Sequence, residues 1–433
     1  MTDSRRRTPR TDAVLADPAL APAVARLGRH RVKAEVVTQL QRCRDGELEP
    51  AEVVSAVVSS LPASSTSLRP VVNATGVVVH TNLGRAPLSH AAVEAVTRAA
   101  GATDLELDLT TGRRGRRGAA ATAALAAAVP TAGGVHLVNN GAGALSLVTC
   151  ALAQGRKIVV ARGELVEIGD GFRIPELLES LGAELREVGT TNRVRLSDYA
   201  DAVDDSVAFV LKVHPSNFRV EGFTSSVPVR DLAGLGVPLV VDIGSGLLTR
   251  HPRLPDEPDA SSALDAGADL VTASGDKLLG GPQCGLLLGR AELVDRLRRH
   301  PLARALRVDK LTLAALEATL TGPESPVAAA LSVRPDDLLT RARRIAMEIG
   351  PGRAEAVRSE GRVGGGGAPG VVIPSAAVTL PVELSVPLRL GDPPVVGHVH
   401  DGRLHLDLLT VAAADDHILV AAARRVLADA RAG

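Results

Sequence analysis

Lysine is scarce in this chain: five stand beside 44 arginines in 433 residues. Arginine cannot form a Schiff base, so chemistry that needs an amine nucleophile has few places to sit. Aromatic side chains are nearly as scarce, at four Phe, one Tyr and no Trp. A base-stacking sheet of the RNA-recognition-motif type is thereby excluded, and any RNA contact rests on arginine and shape. Cysteine occurs three times, at Cys43, Cys150 and Cys284, in no Cys-x-x-Cys pattern. That odd, scattered set argues against a disulfide framework and a structural zinc site, and for a reducing compartment. No apolar run nears the roughly 20 residues of a membrane span, and the arginine-rich N-terminus has no apolar h-region behind it. The expectation is a cytoplasmic protein. Net charge is lacking too, since Lys plus Arg and Asp plus Glu each total 49, and the chain as a whole demands no polyanion. The balance is uneven, however. The first 44 residues hold ten basic residues, beginning with Arg5, Arg6, Arg7 and Arg10, against four acidic ones, which favours an anionic partner there.

What is present divides the chain into three. Residues 1–70 read as a small helical domain and linker: Val14, Leu15, Leu20, Val24 and Leu27, then Val36, Val37 and Leu40, recur at helical spacing, and Ser59 to Pro70 is rich in Ser and Pro. Residues 71–320 read as a large α/β domain. Within it the runs 135–139, 157–161, 184–188, 207–213, 238–242, 270–273 and 285–288 alternate with Ala- and Leu-rich stretches. Seven such strands between helices predict a mostly parallel sheet with helices on both faces and ligands at the carboxyl ends of the strands. Residues 321–433 read as a smaller α+β domain: a helix from Pro335 to Gly350, a flexible turn at Gly364 to Gly367, strands at 377–382 and 404–408, and a closing helix over 415–430.

One of the five lysines, Lys277, lies just past the apolar strand 268–273, in Ser274-Gly275-Asp276-Lys277-Leu278-Leu279-Gly280-Gly281. A lysine there, among glycines that let a ligand approach the backbone, is what a carbonyl cofactor such as pyridoxal phosphate requires; alone, it is equally a loop lysine at a helix end. Asp242 ends another apolar strand about 35 residues earlier, where an ionised carboxylate can keep a pyridinium nitrogen protonated; the alternative is an Asp that caps a turn. Asn139-Asn140-Gly141-Ala142-Gly143-Ala144 follows a strand and leads into the helical run Leu145 to Leu152, a phosphate cradle of backbone amides at a helix N-terminus. It is not the dinucleotide fingerprint, because a third glycine and the ribose-binding acid are missing. Taken together and in this order, the three parts suit a pyridoxal-phosphate enzyme. Ser216 or Asn217, after the strand 207–213, could reach the cofactor 3′-oxygen, while His214 reads as structural. Arg304 and Arg307, three apart on one helical face, suit a phosphate-like dianion or simply a solvated face, and Arg85 offers a third guanidinium.

With these motifs assembled, the chain resembles the bacterial selenocysteine synthases, the L-seryl-tRNA(Sec) selenium transferases. The resemblance is carried by Asn73-Ala74-Thr75-Gly76, His80-Thr81-Asn82-Leu83-Gly84-Arg85, Arg162 to Gly169, Phe172-Arg173-Ile174-Pro175, Glu187 to Arg193, Ser274 to Gln283 and Arg304 to Lys310. It implies a fold-type I pyridoxal-phosphate enzyme with Lys277 as the Schiff-base lysine and Asp242 in the ring-nitrogen role. Gly141, Ala142, Gly143, Ser216, Asn217 and Ser274 complete the cofactor set, and Arg85, Arg304 and Arg307 are expected to hold selenophosphate. It further implies that seryl-tRNA(Sec) becomes selenocysteinyl-tRNA(Sec) through a dehydroalanyl intermediate, that the N-terminal domain grips the tRNA, and that ten subunits form a ring. Two other readings stand beside it: a small-molecule pyridoxal-phosphate lyase, and a tRNA-binding relative without catalysis. Lys277 and Asp242 argue against the second, and a basic N-terminal domain against the first.

Overall fold

The computed structural model describes residues 7–432, which form two compact units, one ending at Pro70 and one beginning at Val71. Arg5 and Arg6 of the basic N-terminus lie outside the described residues. No helix among the described residues is long and apolar enough to cross a membrane.

The first unit is helical, with helices at Thr11–Leu15, Ala21–Leu27, Arg29–Arg44 and Val53–Ser60. Val14, Leu20, Leu27, Val32, Val36, Leu40, Val53 and Val57 close its core. Val37, counted with the apolar face from its spacing, is 46% exposed, because its neighbour Val36 takes the inward position. The Ser- and Pro-rich stretch beyond Ser60 is tied back onto the helices: Ser65 Oγ donates to the Arg26 carbonyl at 2.8 Å, and Arg31 Nη1 donates to the Ser65 carbonyl at 3.1 Å.

The second unit contains two large sheets. Its strands are β1 (Val72–Asn73), β2 (Val77–Val79), β3 (Gly134–Val138), β4 (Lys157–Ala161), the short hairpin β5 (Glu167–Ile168) and β6 (Phe172–Arg173), β7 (Glu184–Val188), β8 (Val207–Val213), β9 (Leu239–Gly244), β10 (Leu270–Ser274), β11 (Gly285–Gly289), β12 (Glu355–Gly364), β13 (Val372–Pro381), β14 (Val395–Val396), β15 (His398–His400) and β16 (Arg403–Asp407). The expected seven-stranded sheet is present, in the order β3-β11-β10-β9-β8-β4-β7. Only β11 runs antiparallel to its neighbours. The central strands β4, β8, β9, β10 and β11 read as nearly continuous apolar runs because both sheet faces are covered there, whereas the edge strand β7 exposes Glu184 and Glu187. One face packs Val159, Val210, Leu239, Val241, Val271 and Leu286 under helices that include Ala119–Ala128 and Lys310–Thr321. The other packs Val138, Ile158, Leu211, Val240 and Leu287 under the helix Gly141–Leu152.

The smaller sheet runs β15-β16-β13-β12-β2, so its edge strand comes from the front of the unit, and β1 likewise pairs with β14. Two expectations are corrected here. β13 starts at Val372 and ends at Pro381, whereas the strand was expected over 377–382; Pro374 and Ser375 hide its first half from a hydrophobicity reading. The ten-residue β12 was not expected as a strand, because its glutamates and arginines lie on an exposed face and only Gly361 and Val363 are buried.

Candidate active site

The carboxyl ends of β3, β8, β9 and β10 each supply one part of the site. β3 runs into the helix Gly141–Leu152, which opens four residues earlier than expected. Glycine has poor helix propensity, but Asn140 overrides it by capping: its Oδ1 accepts the Gly143 amide at 2.7 Å, a contact worth about 1 kcal/mol. First-turn amides have no intrahelical acceptor, and here they face the strand ends. The turn is packed so tightly that side chains are excluded. A Cβ on Gly141 would lie 2.5 Å from Ser274 Oγ, and one on Gly143 would lie 2.6 Å from Asn139 Oδ1.

Asp242 sits within β9, which continues to Gly244 rather than ending at the aspartate. Its register partner on β10 is Thr272, whose hydroxyl donates to Asp242 Oδ1 at 2.8 Å. Asp242 retains some accessible surface, yet protein crowds the carboxyl enough for burial to push its proton affinity above the usual carboxylate range. The Thr272 hydrogen bond and the charge of Lys277 oppose that shift. Lys277 follows β10 after a three-residue step and is half-buried. Burial lowers its proton affinity, and the attraction of Asp242 and Asp276 restores part of it. A lysine so placed gives up its proton more readily than one in water, which frees the amine for nucleophilic attack.

Two further segments close around the amine. A Cβ on Gly366 would fall 2.7 Å from Lys277 Nζ, so the backbone of the turn after β12 rests directly on the lysine. A Cβ on Gly244 would lie 3.9 Å from the same nitrogen and 3.6 Å from Ser216 Oγ, which brings buried Ser216 to the site. Asn217 turns elsewhere, its Nδ2 donating to the Glu167 carbonyl at 2.9 Å.

The three arginines differ. Arg85 holds a left-handed φ of 66° and pairs through Nη1 with Asp276 Oδ2 at 2.7 Å, one residue from Lys277. Arg304 lies in the short helix Pro301–Ala305, which ends before Arg307, so the two do not share a helical face as their spacing suggested. Both are exposed. The segment nevertheless abuts the cradle, since the Leu306 carbonyl accepts the Asn139 amide at 3.0 Å.

Sequence reasoning missed Thr272, the Asp276 partner of Arg85, and Gly366. Thr272 owes its place to sheet register, for which a single sequence carries no signal. Gly366 did carry one, in the run of four glycines from Gly364 to Gly367.

Comparison with known proteins adds to this geometry. The sequence model of the family described as L-seryl-tRNA selenium transferase matches residues 71–412, and that described as selenocysteine synthase N terminal matches residues 5–44. An L-seryl-tRNA(Sec) selenium transferase of Hyphomonas neptunium is 42% identical over 456 aligned residues, covering 97% of this chain and 98% of its own length. One from Moorella thermoacetica is 44% identical, covering 81% and 80%. Among solved structures, D-glucosaminate-6-phosphate ammonia-lyase superposes with a TM-score of 0.59 at 19% identity, over 83% of this chain and 96% of that one, a likeness of fold alone.

Proposed function

Since the chain belongs to the L-seryl-tRNA selenium transferase family, we propose that it converts L-seryl-tRNA(Sec) to L-selenocysteinyl-tRNA(Sec), with pyridoxal phosphate as cofactor and selenophosphate as selenium donor. The observation that carries this reading is the half-buried Lys277 amine beside Asp242 at the strand ends.

The residues present fit the cofactor. The first-turn amides of Gly141 and Ala142, with the Ser274 hydroxyl beside them, would hold its phosphate, while the Gly143 amide, taken by Asn140 Oδ1, fixes the turn. Asp242, fixed by Thr272, would hold the proton on its ring nitrogen, and Ser216 rather than the outward-turned Asn217 would meet the 3′-oxygen. Lys277 would be its covalent anchor. Bound there, pyridoxal phosphate supplies an electron sink that makes the serine α-proton removable and the β-hydroxyl expellable. Lys277 Nζ, with its lowered proton affinity, is the group to take the α-proton and later return one. Arg85, Arg304 and Arg307 would bind the selenophosphate dianion; the Arg85–Asp276 pair keeps one guanidinium at hand beside the lysine. Residues 5–44, matched by the N-terminal family model, are needless for a small-molecule lyase and suit a tRNA grip. The ring of ten subunits is part of the same proposal.

The test is spectroscopic. The visible absorbance of the loaded enzyme should change on adding seryl-tRNA(Sec) but not uncharged tRNA, and Lys277→Ala should lack the lysine-bound absorbance. A Lys277→Ala protein with the wild-type spectrum would sink the assignment.

A further inference from the structure

Beside the site lies a hydrogen-bonded pair, His214 and Glu257, that the scheme above leaves without a task. His214 follows β8, and its amide donates to the Asp242 carbonyl at 2.9 Å. Its Nε2 lies 3.1 Å from Glu257 Oε2, and the Glu257 side chain is only 1% exposed. The same oxygen accepts the Ala368 amide at 2.7 Å, while Oε1 is buried without a partner. A buried carboxylate with half its acceptor capacity unused is costly and calls for an explanation.

The explanation lies in what the Ala368 amide belongs to. Ala368 closes the turn between β12 and β13 that places Gly366 against Lys277. Its φ is 45°, in the left-handed region that alanine occupies only when its surroundings hold it there. The turn has other contacts as well: Gly367 rests on Leu278 and Ser245, Gly370 lies against Arg219, the Gly365 amide reaches the Val79 carbonyl at 3.1 Å, and the Val371 amide reaches the Ala368 carbonyl; the Glu257 bond is the side-chain anchor of Ala368 itself. Glu257 thus joins a strained turn of the smaller sheet to a strand end of the larger one. Its carboxylate also acts on Lys277, favouring the charged amine.

We propose that Glu257 is a positioning residue: its Oε2 locks His214 and the 365–370 turn into one unit that holds Gly366 over the Lys277 amine and keeps water from it. Glu257 touches neither substrate nor cofactor and acts through the turn. The kinetic part of the test rests on the functional reading above; the exchange part does not.

In the cofactor-free, full-length protein, amide hydrogen exchange across residues 365–370 should quicken by at least about tenfold in Glu257→Ala. It should return toward wild type in Glu257→Gln, whose amide oxygen can still accept from Ala368. In the loaded enzyme, Glu257→Ala should lower kcat by about tenfold or more with KM for seryl-tRNA(Sec) within about twofold. His214→Ala/Glu257→Ala should lose no more than the worse single variant, as expected of residues that act as a unit. Wild-type exchange and kcat in Glu257→Ala, or losses that multiply in the double variant, would overturn the proposal. If Glu257→Ala does not fold, Glu257→Asp, one methylene short of both partners, decides by the same two measurements, with wild-type values counting against it. A wild-type enzyme that turns over no seryl-tRNA(Sec) would refute the functional reading and leave the exchange result standing.

Discussion

Lys277 and Asp242 are each driven toward neutrality by burial, and each holds the other charged. The balance is delicate. Asp242→Asn keeps the size of the side chain and a partner for Thr272 but removes the charge. The variant should still bind pyridoxal phosphate while kcat falls by about 100-fold or more, the scale of losing one preorganised charge contact; a kcat within a fewfold of wild type would end the ring-nitrogen role. A second residue titrates within reach of ordinary buffers. His136, on β3, is pushed down from 6.5 to about 4, first by burial and then by Arg116 and Arg298, and its Nε2 is buried without a partner. The folded state therefore holds it neutral, while the unfolded chain takes up a proton as pH falls through 6.5. Between pH 6.5 and about 4 the unfolded state binds more protons, so stability drops as pH drops, by at most about 3 kcal/mol, and the loss saturates below that window. Melting curves at about pH 7 and about pH 5 should differ by a few degrees more in wild type than in His136→Leu; equal differences would remove His136 as a cause.

At the scale of elements, the cradle is the most exacting construction. Gly141→Ala sets a methyl group 2.5 Å from Ser274 Oγ, which must swing that hydroxyl out of the place proposed for it at the phosphate. Cofactor affinity, read from an absorbance titration, should fall by about tenfold or more, since even a misplacement of about 1 Å in a binding group is that costly. Ser274→Ala in the same chain should restore part of it. No rescue would mean that the clash lies elsewhere. The elements that build this site were the legible ones. β4 and β8 coincide with their apolar runs because burial on both faces leaves only one lysine in each to blur them, whereas the edge strand β7 coincides with its run despite Glu184, Arg186 and Glu187. β12 and the first half of β13 were illegible for the opposite reason, since one exposed face fills them with Glu, Arg, Ser and Pro. Lys277 and Gly141 could be picked out by position after a strand, and Asp242 as the one acid in the apolar run of β9. The partners that tune them could not: Thr272 depends on register, Asp276 on where Arg85 lands, and Glu257 on a contact with Ala368 across 111 residues. Arg304 and Arg307 show the same limit, because the end of the helix at Ala305 was not visible in their spacing.

For the whole molecule, the proposed tRNA grip and the proposed cofactor site fall in different units, divided at Pro70. The unit from Val71 onward contains both sheets, every residue placed at the cofactor site, and its own cores. The first unit has a core of its own built from Val, Leu and Cys43 and a surface with Arg7, Arg10, Arg26, Arg29, Arg31, Lys33, Arg42 and Arg44. Each unit satisfies its own burial, so removal of one should not unfold the other. A chain of residues 71–433 should therefore bind pyridoxal phosphate within about twofold of the full-length affinity. Its grip on seryl-tRNA(Sec) should weaken by about tenfold or more, and its binding should depend less on salt, the slope of log K against log salt shrinking by about 0.9 for each duplex phosphate that the missing arginines and lysine would have neutralised. Fluorescence anisotropy across a potassium chloride series measures both quantities. Affinity and slope unchanged by the deletion would move the RNA-binding surface wholly onto the second unit, whereas loss of cofactor binding would show that the catalytic unit needs the first to fold.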